Sequence, residues 1–588
     1  MRDHADWRLA GAVALVATGV AACGGSSRTI DVPTELGERL PVAAGHTGPA
    51  VDPRDTGPGR FVGSLLARFD RQAAMDYASF IDRFYRAPAS DGYEEVVERV
   101  VGELFAAGYG ADDGFELEVL RTGMSSPSWT PRSAVVDLVR VDGEGRPMQP
   151  FEVLSFDGTA AATRVMLPEH SPGGKALGQL AHGVEALVEP GMILLTSRRI
   201  RDVEAEAKER GAIAIVSDFA LPYCIDPTGE ERHLDAIFHD SVRPGTELPS
   251  VYVSRRASER ALRKGTNPEW PIEDRALVQV RSVVNFEIRE LRTVQATIRG
   301  AERPDEVVHV VAHIDGAGAN DNAAGAGAML HSALLLKRLV ENGELPRPRR
   351  SLSFVFGVEA QAGKRALEFD TERGREVVAA VVADMIGADT ERTGATMLLE
   401  RGWDPASIEA LPPDEHTLWG AGSVAQEDVV PNGLAIVMRE ALVDVARAEN
   451  RDGETEWATR EHPWEGGSDH DAYLEKGIAA CLLWHFTDFA FATSLDRMDH
   501  VDPAELRRAS VATLAGALAV ADGAPGDLDR HLATLNVERQ LRLDAVVRAD
   551  ASEELLDAWR GWFDGSRYWL RAICLGEPVD TVPPTSDE

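Results

Sequence analysis

The segment that decides the fold is residues 307–330, which read VVHVVAHIDGAGANDNAAGAGAML. An apolar run of strand length ends at Ala312, and His313 and Asp315 follow it directly. The Asn-Asp-Asn string at 320–322 is a helix-capping signal, and small residues then open a helix. The segment therefore predicts a buried strand and a buried helix with a polar loop between them.

Further apolar runs of strand length alternate with helical segments after this one. They occupy residues 351–356, 377–383 and 478–483, and one more precedes it at 294–298. This alternation predicts an α/β domain with a largely parallel central sheet. In such sheets, ligand sites lie beyond the carboxyl ends of the strands. Because His313, Glu359 and Asp384 each come just after a strand, we expect their side chains to meet at one rim.

Four strings further along the chain carry candidate chemistry: FVFGVEAQAG at 354–363, VVADMIG at 381–387, GGSDHDAYLEKGI at 466–478 and FATSLDRMDHVD at 491–502. Together with residues 313–325, and in this order, they resemble the metal-binding motifs of peptidase family M28. This is the bacterial leucyl aminopeptidase and glutamate carboxypeptidase type of zinc exopeptidase. The resemblance covers roughly residues 61–520. It implies a zinc-exopeptidase fold of the phosphorylase/hydrolase-like type, peptide or protein substrates, and two zinc ions around a shared carboxylate.

The resemblance implies a role for each polar residue at the rim. His313 matches the histidine ligand of one zinc, and Asp315 matches the carboxylate that orients it. Asp321 matches the carboxylate that bridges the metals, and Asp384 matches the third ligand of the zinc held by His313. Glu359 matches the general base, so Glu359 and Asp315 are the candidate catalytic residues.

Two alanines stand where the family has ligands of the second zinc. Ala360 occupies the position of a glutamate ligand, and Ala492 occupies the position of a histidine ligand. The other metal keeps one imidazole and two carboxylates, which is an acceptable zinc set with one position left open. We therefore expect about one zinc per chain. His470 and His485 are the nearby imidazoles that could replace the missing histidine.

Two functions are compatible with this pattern. The first is an aminopeptidase-type exopeptidase that hydrolyses peptide bonds with a reduced, one-zinc centre, and the survival of Glu359 favours it. The second is a catalytically inactive binding protein on a peptidase scaffold, and the loss of two ligands favours that one. The resemblance makes the metallopeptidase the principal expectation.

Residues 151–288 differ in texture from the segments around them. An apolar strand at 191–195, a Glu-rich helix at 203–210, a strand at 211–216 and the string LPSVYVS at 248–254 follow one another. This succession resembles the protease-associated (PA) domain, a mainly-β domain commonly inserted in secreted members of the family. The predicted peptidase domain has two parts, residues 60–150 and 289–521. The insert at residues 151–288 lies between them, and a helical extension at residues 522–588 follows.

Residues 1–59 are predicted to lie outside the fold. Arg2 and Arg8 precede an apolar stretch at 9–22 that is too short for a stable transmembrane helix, and Cys23 follows it. This arrangement resembles a bacterial lipoprotein signal, with residues 1–22 as signal peptide, Cys23 as the lipidated residue and 23–59 as a flexible tether. We expect an extracytoplasmic, membrane-anchored lipoprotein in the periplasm or at the cell surface. A plain secretory signal is the alternative.

The overall charge excludes one class of partner. The chain has 588 residues and a formal net charge of −35 at pH 7. A surface that acidic repels phosphate backbones, so we expect no nucleic-acid partner.

If Cys23 carries a lipid, replacing it by serine should release the protein from the membrane. The substitution Cys23→Ser removes the thiol that the lipid would modify and leaves the tether unchanged. Fractionation of cells should place the wild type with the membranes and Cys23→Ser in the soluble fraction. Equal release of the two forms would contradict lipidation and favour a cleaved secretory signal.

Overall fold

The computed structural model describes residues 53–576 except 113, 143, 145, 150, 157–163, 225–232, 264–265, 267–275 and 451–456. The predicted signal peptide, Cys23 and most of the predicted tether lie outside the described residues. Within the described ranges, no helix combines the length and the apolar character that crossing a bilayer requires.

The strands, in chain order, are β1 (Phe115–Gly123), β2 (Ser128–Val139), β3 (Phe151–Phe156), β4 (Gly174–Gly178), β5 (Leu180–His182), β6 (Ile193–Thr196), β7 (Ala214–Ser217), β8 (Ser250–Tyr252), β9 (Leu277–Glu287), β10 (Glu290–Ile298), β11 (Arg303–His313), β12 (Arg350–Gly357), β13 (Glu376–Ala383), β14 (Thr396–Glu400), β15 (Thr459–His462) and β16 (Ala479–Phe486). The α-helices are α1 (Gly59–Arg68), α2 (Arg71–Ile81), α3 (Asp91–Ala106), α4 (Ile200–Glu209), α5 (Arg255–Ala257), α6 (Ala323–Glu341), α7 (Ala362–Glu372), α8 (Thr390–Thr393), α9 (Leu434–Glu449), α10 (Asp471–Leu474), α11 (Pro503–Ala521), α12 (Leu528–Ala549) and α13 (Glu553–Leu575).

An eight-stranded sheet forms the centre of the molecule, in the order β1-β10-β12-β11-β13-β16-β14-β15. The four central strands, β12, β11, β13 and β16, are parallel, and so are β14 and β15. The pairs β1–β10, β10–β12 and β14–β16 are antiparallel. The predicted α/β fold is confirmed, with a sheet that is parallel at its centre and mixed towards its edges, as is common in large sheets.

The central strands are covered on both faces. Val308 and Val310 of β11 pack in the cluster that holds α6 and α11, whereas Val311 packs with Ala362 and Ala366 of α7. Successive side chains of a strand point to opposite faces, so an uninterrupted apolar run needs cover on both sides. This explains why the apolar residues of β11 form a continuous run and do not alternate with polar residues.

The position of α6 is fixed at its start and along its length. The side chain of Asn322 caps the helix and accepts a hydrogen bond from the backbone N–H of Gly325 at 3.1 Å. A Cβ atom on Gly327 would lie 2.5 Å from the backbone nitrogen of Ala78 in α2. The helices α6 and α2 therefore cross so closely that only glycine fits at position 327. The loop between β11 and α6 is therefore held between two rigid elements.

The region between β1 and β10 contains two further four-stranded sheets. The first is antiparallel, in the order β3-β2-β9-β4, and the second is parallel, in the order β5-β6-β7-β8. Strand β2 lies in the span 60–150, predicted as the first part of the peptidase domain, and its partners are β3 and β9. The domain bounds and the assignment of this region to a PA domain stay predictions.

The helical C-terminal extension is present as predicted. Its two long helices, α12 and α13, bury Trp559, Trp562 and Trp569. Several ionic contacts join α12 to α9. Among them, Arg530 donates to both carboxylate oxygens of Asp444 at 2.8 Å, and His531 Nδ1 lies 2.9 Å from Glu440 Oε2.

The buried His531–Glu440 pair predicts a pH-dependent stability. Burial alone would lower the pKa of the His531 imidazole, but Glu440 raises that pKa to about 10. Burial alone would raise the pKa of Glu440, but His531 holds it below its usual value. The stabilisation from His531 is therefore complete below the ordinary histidine pKa of about 6.5 and is lost as the pH rises through 10. The part that comes from Glu440 is present above the ordinary glutamate pKa of about 4.3 and is lost in acid.

We expect His531→Gln to lower the free energy of unfolding by about 2 kcal/mol near pH 6, because it removes one of the two cations beside the buried Glu440 carboxylate and leaves only Arg530 Nε at 3.2 Å. The difference between wild type and variant should shrink towards pH 10. Urea unfolding at both pH values measures it. Arg560→Gln is the control, since its ion pair with Asp557 is more than half exposed on both sides and should contribute little. An equal loss at both pH values would contradict the charged pair.

Candidate metal centre

Three neighbouring parallel strands deliver polar side chains to one edge of the sheet. His313 is the last residue of β11, Asp384 follows β13 directly, and Glu359 comes two residues after β12. Because β12, β11 and β13 are adjacent and parallel, their carboxyl ends share a rim. The fourth polar residue, Asp321, lies in the loop that leads from β11 to α6.

The side chains of His313, Asp321 and Asp384 converge with their ligand atoms within 4.8 Å of one another. His313 Nε2 lies 3.1 Å from Asp384 Oδ1 and 3.3 Å from Asp321 Oδ1. A tetrahedral zinc with bonds of 2.0–2.2 Å separates its ligand atoms by about 3.4 Å. One imidazole and two carboxylates at these separations therefore fit a zinc ion, and the set leaves a coordination position open.

Asp315 organises the residues around this group. Its Oδ1 lies 3.1 Å from His313 Nδ1 and accepts a hydrogen bond from the backbone N–H of Glu359 at 2.9 Å. The contact with Nδ1 directs the Nε2 lone pair of His313 towards Asp321 and Asp384. The same carboxylate thus orients the imidazole and fixes the backbone that carries Glu359.

Electrostatics at the rim favour a cation. Burial alone would lower the pKa of His313, but Asp384, Asp315 and Asp321 raise it well above its usual value. Burial raises the pKa of Glu359 well above its usual value; His313 opposes this rise, and the neighbouring aspartates add to it. One imidazole thus faces four carboxyl groups, and a divalent cation would replace the protons that otherwise relieve their repulsion.

Three side chains that position the group have no assigned role in the sequence pattern. Asp496 accepts hydrogen bonds from the backbone N–H of Asn320 at 2.7 Å and of Asp321 at 3.0 Å. Ser468 Oγ donates to Asp384 Oδ2 at 2.9 Å. The fully buried Arg86 donates to the carbonyls of residues 314 and 318 at 2.8 Å. Asp496 and Ser468 fall inside the recognised strings, but nothing in the sequence around Arg86 predicts its contact with this loop.

Neither alanine at the second-zinc positions offers a ligand atom, and both have a positive φ. Ala360 is exposed with a φ of 58°, and Ala492 is partly exposed with a φ of 54°. Ala492 packs against an apolar cluster of the inserted region, and its carbonyl accepts a hydrogen bond from the backbone N–H of His239 at 2.7 Å. A bridge between Phe238 and Thr493 extends this contact. The loop at 491–494 therefore rests on the insert.

The two predicted surrogate ligands lie with other partners. His470 Nε2 is 2.8 Å from Glu400 Oε1. His485 Nδ1 is 3.1 Å from the carbonyl oxygen of Met385, and its Nε2 is 3.4 Å from Glu505 Oε2. The structure does not bring either imidazole into the group of His313, Asp321 and Asp384.

Comparison with known proteins identifies the segment that carries this group. Residues 293–403 match the model of peptidase family M28. No curated protein matches the sequence. An aminopeptidase from Aneurinibacillus sp. strain AM-1 is similar in structure, at 14% identity and a TM-score of 0.44 over 78% of this chain and 96% of that one. BSAP, a zinc aminopeptidase from Bacillus subtilis, is 13% identical, with a TM-score of 0.48 over 77% of this chain and 94% of its own. A peptidase M28 precursor from Shewanella amazonensis SB2B is 16% identical, with a TM-score of 0.47 over 79% and 96%.

Removing the charge of Asp315 should weaken zinc binding without removing a ligand. Asp315→Asn keeps the shape of the side chain but loses the charge that holds the imidazole of His313. We expect the zinc dissociation constant, measured by competition with a chelator, to rise by about 10- to 100-fold. Asp305→Asn, at an exposed position of β11, should leave the dissociation constant unchanged. Unaltered affinity in Asp315→Asn would show that the orienting contact does not matter to the metal.

Proposed function

We propose that this chain is a zinc-dependent exopeptidase of peptidase family M28, of the aminopeptidase type, with a single zinc at His313, Asp321 and Asp384. The observation that supports the proposal is the convergence of one imidazole and two carboxylates at zinc-ligand separations, with Glu359 beside them. The family match covers the same residues.

The chain's own residues supply the remaining chemistry. Zinc, when bound, provides Lewis-acid polarisation and lowers the pKa of a water molecule at the site. Glu359 is the general base that accepts a proton from the attacking water and passes it to the leaving amine. Asp315 fixes the position of the His313 imidazole relative to the backbone of Glu359. Ser468 holds the second oxygen of Asp384, so that Asp384 Oδ1 faces His313.

The reduced centre predicts slower chemistry than a two-zinc site. Ala360 and Ala492 cannot hold a second cation, which would share the charge that develops on the scissile carbonyl. Electrostatic stabilisation of this kind typically lowers the activation free energy by a few kcal/mol. A catalytically inactive binding protein is the alternative, and the loss of both ligands from one metal is the observation that favours it.

We also propose that the enzyme acts outside the cytoplasm as a membrane-anchored lipoprotein. The sequence from Arg2 to Cys23 supports this proposal, together with the tether-like composition that follows.

Glu359→Gln should separate catalysis from metal binding. The amide cannot accept a proton, so we expect kcat on unblocked aminoacyl substrates to fall by about 100-fold or more. Zinc content, counted by mass spectrometry, should stay at the wild-type value because Glu359 is not a ligand. Glu368→Gln, on the exposed face of α7, is the matched control. Equal activity of wild type and Glu359→Gln would remove the proposed base, and absence of activity in both would favour the binding protein.

Restoring both lost ligands should restore the second metal. We expect Ala360→Glu with Ala492→His to add one zinc and to raise activity by at least about 100-fold, because the regained charge acts in the transition state. Neither change should suffice alone, since both ligands act through one ion. The single variants are the controls. A double variant that gains zinc yet hydrolyses nothing would show that the pocket has diverged from peptidase function.

A further inference from the structure

A second group of potential metal ligands lies at the far edge of the central sheet. It consists of Glu400, His462 and Glu465, whose ligand atoms all lie within 4.8 Å of one another. Glu400 ends β14 and His462 ends β15, and the two residues are direct partners in the register of this parallel pair. Glu465 follows three residues after His462. The topology therefore brings two strand ends and the next turn to one point.

The group is buried and closely spaced. The exposed fractions of Glu400, His462 and Glu465 are 0%, 2% and 4%. Glu400 Oε2 lies 3.8 Å from His462 Nε2, and Glu465 Oε1 lies 3.7 Å from His462 Nδ1. The two distances run to opposite ring nitrogens, and a cation would bind only one of them. One ligand atom of each residue lies within 4.8 Å of the other two, so a movement of about 1 Å would bring the set to the ligand separation of about 3.4 Å in a tetrahedral zinc site.

One buried oxygen of the group has no partner. Glu400 Oε2 forms no hydrogen bond with any described residue, although the side chain is fully buried. Leaving a carboxylate oxygen in this state is costly, because burial removes the water that would otherwise solvate it. This oxygen faces His462, and a bound cation there would satisfy it.

Outer contacts hold both carboxylates in place. Glu400 Oε1 lies 2.8 Å from His470 Nε2 and accepts hydrogen bonds from the backbone N–H groups of residues 465 and 466. Glu465 contacts His416 Nδ1 at 3.2 Å and accepts the backbone N–H and the hydroxyl of Thr417. Ligating carboxylates in metal sites are oriented by hydrogen bonds of this kind. Each carboxylate also lies beside an imidazole outside the group, Glu400 beside His470 and Glu465 beside His416.

We propose that Glu400, His462 and Glu465 form a second, structural binding site for a divalent transition-metal cation of the zinc class. Imidazole and carboxylate ligands suit such a cation, and burial of all three residues makes the site closed rather than catalytic. It would join β14 and β15 to the segment at 465–470. That segment carries Ser468, which holds Asp384, so the second site supports the first without sharing a ligand with it.

The structure also defines the competing arrangement. His462 Nε2 lies 3.0 Å from the indole nitrogen of Trp484, which donates to it, and Nδ1 lies 2.8 Å from the carbonyl of Pro463. Metal coordination through Nε2 would displace the indole N–H. If hydrogen bonds alone hold the group, it will bind no metal. The experiment must distinguish this outcome from metal binding.

The test counts zinc in a chain that lacks the first site. The full chain carrying His313→Ala and Asp384→Asn is stripped with a chelator, reloaded with Zn²⁺ alone and passed through a desalting column. We expect about one zinc per chain by mass spectrometry, because three protein ligands suffice for tight binding. Adding Glu400→Gln and Glu465→Gln should reduce the count to about zero, whereas adding Glu415→Gln, at an exposed neighbouring position, should leave it unchanged.

A second measurement guards against variants that do not fold. Zn²⁺ should raise the Tm of the chain that lacks the first site by at least about 3 °C, since a ligand that binds only the folded state stabilises it. No zinc and no shift in Tm in that chain would overturn the proposal. Retention of the zinc after both glutamine substitutions would overturn it as well. Activity is not the readout, so the outcome is independent of the proposed peptidase function.

Discussion

The imidazole of His313 is the contact on which the rim of the sheet depends. One nitrogen faces Asp315, and the other faces Asp321 and Asp384, so a single ring connects β11, the loop that leads to α6, and the end of β13. Asp315 in turn holds the backbone of Glu359 after β12, and Asp384 follows β13. The parallel register of three strands brings these groups together, and the rigid crossing of α6 with α2 fixes the loop that carries Asp321.

The sequence predicts well those site residues that lie at the ends of strands. His313, Glu359 and Asp384 follow apolar runs, and parallel strands that are neighbours in a sheet place their carboxyl ends together. The edge strands were harder to predict, because antiparallel pairing of β1, β10 and β14 leaves no distinctive local pattern. The pairing of β2 with β9 joins residues that lie far apart in the chain, with most of the insert between them.

Contacts through side chains of distant segments could not be predicted. Arg86 reaches the loop after β11 from the end of an N-terminal helix pair, and no periodicity or motif marks it. The partners of His470 and His485 depend on how β14 and α11 pack, so the sequence could name these imidazoles but not place them. The group of Glu400, His462 and Glu465 escapes a search by spacing, because it forms only when β14 and β15 pair.

Of the two positions that lack a ligand, Ala360 is exposed, whereas Ala492 lies against another part of the fold. Ala492 packs on the inserted region, and the backbone of residues 491–494 bonds to residues 237–239. The insert therefore fixes the backbone of the loop that carries Ala492.

The most direct test of the one-zinc centre is a crystal structure of the zinc-loaded protein, with anomalous scattering measured on both sides of the zinc absorption edge. We expect a single peak at this rim, about 2.0–2.2 Å from His313 Nε2 and from one oxygen each of Asp321 and Asp384. Two peaks about 3.5–4 Å apart that share Asp321, or no peak beside His313, would contradict it.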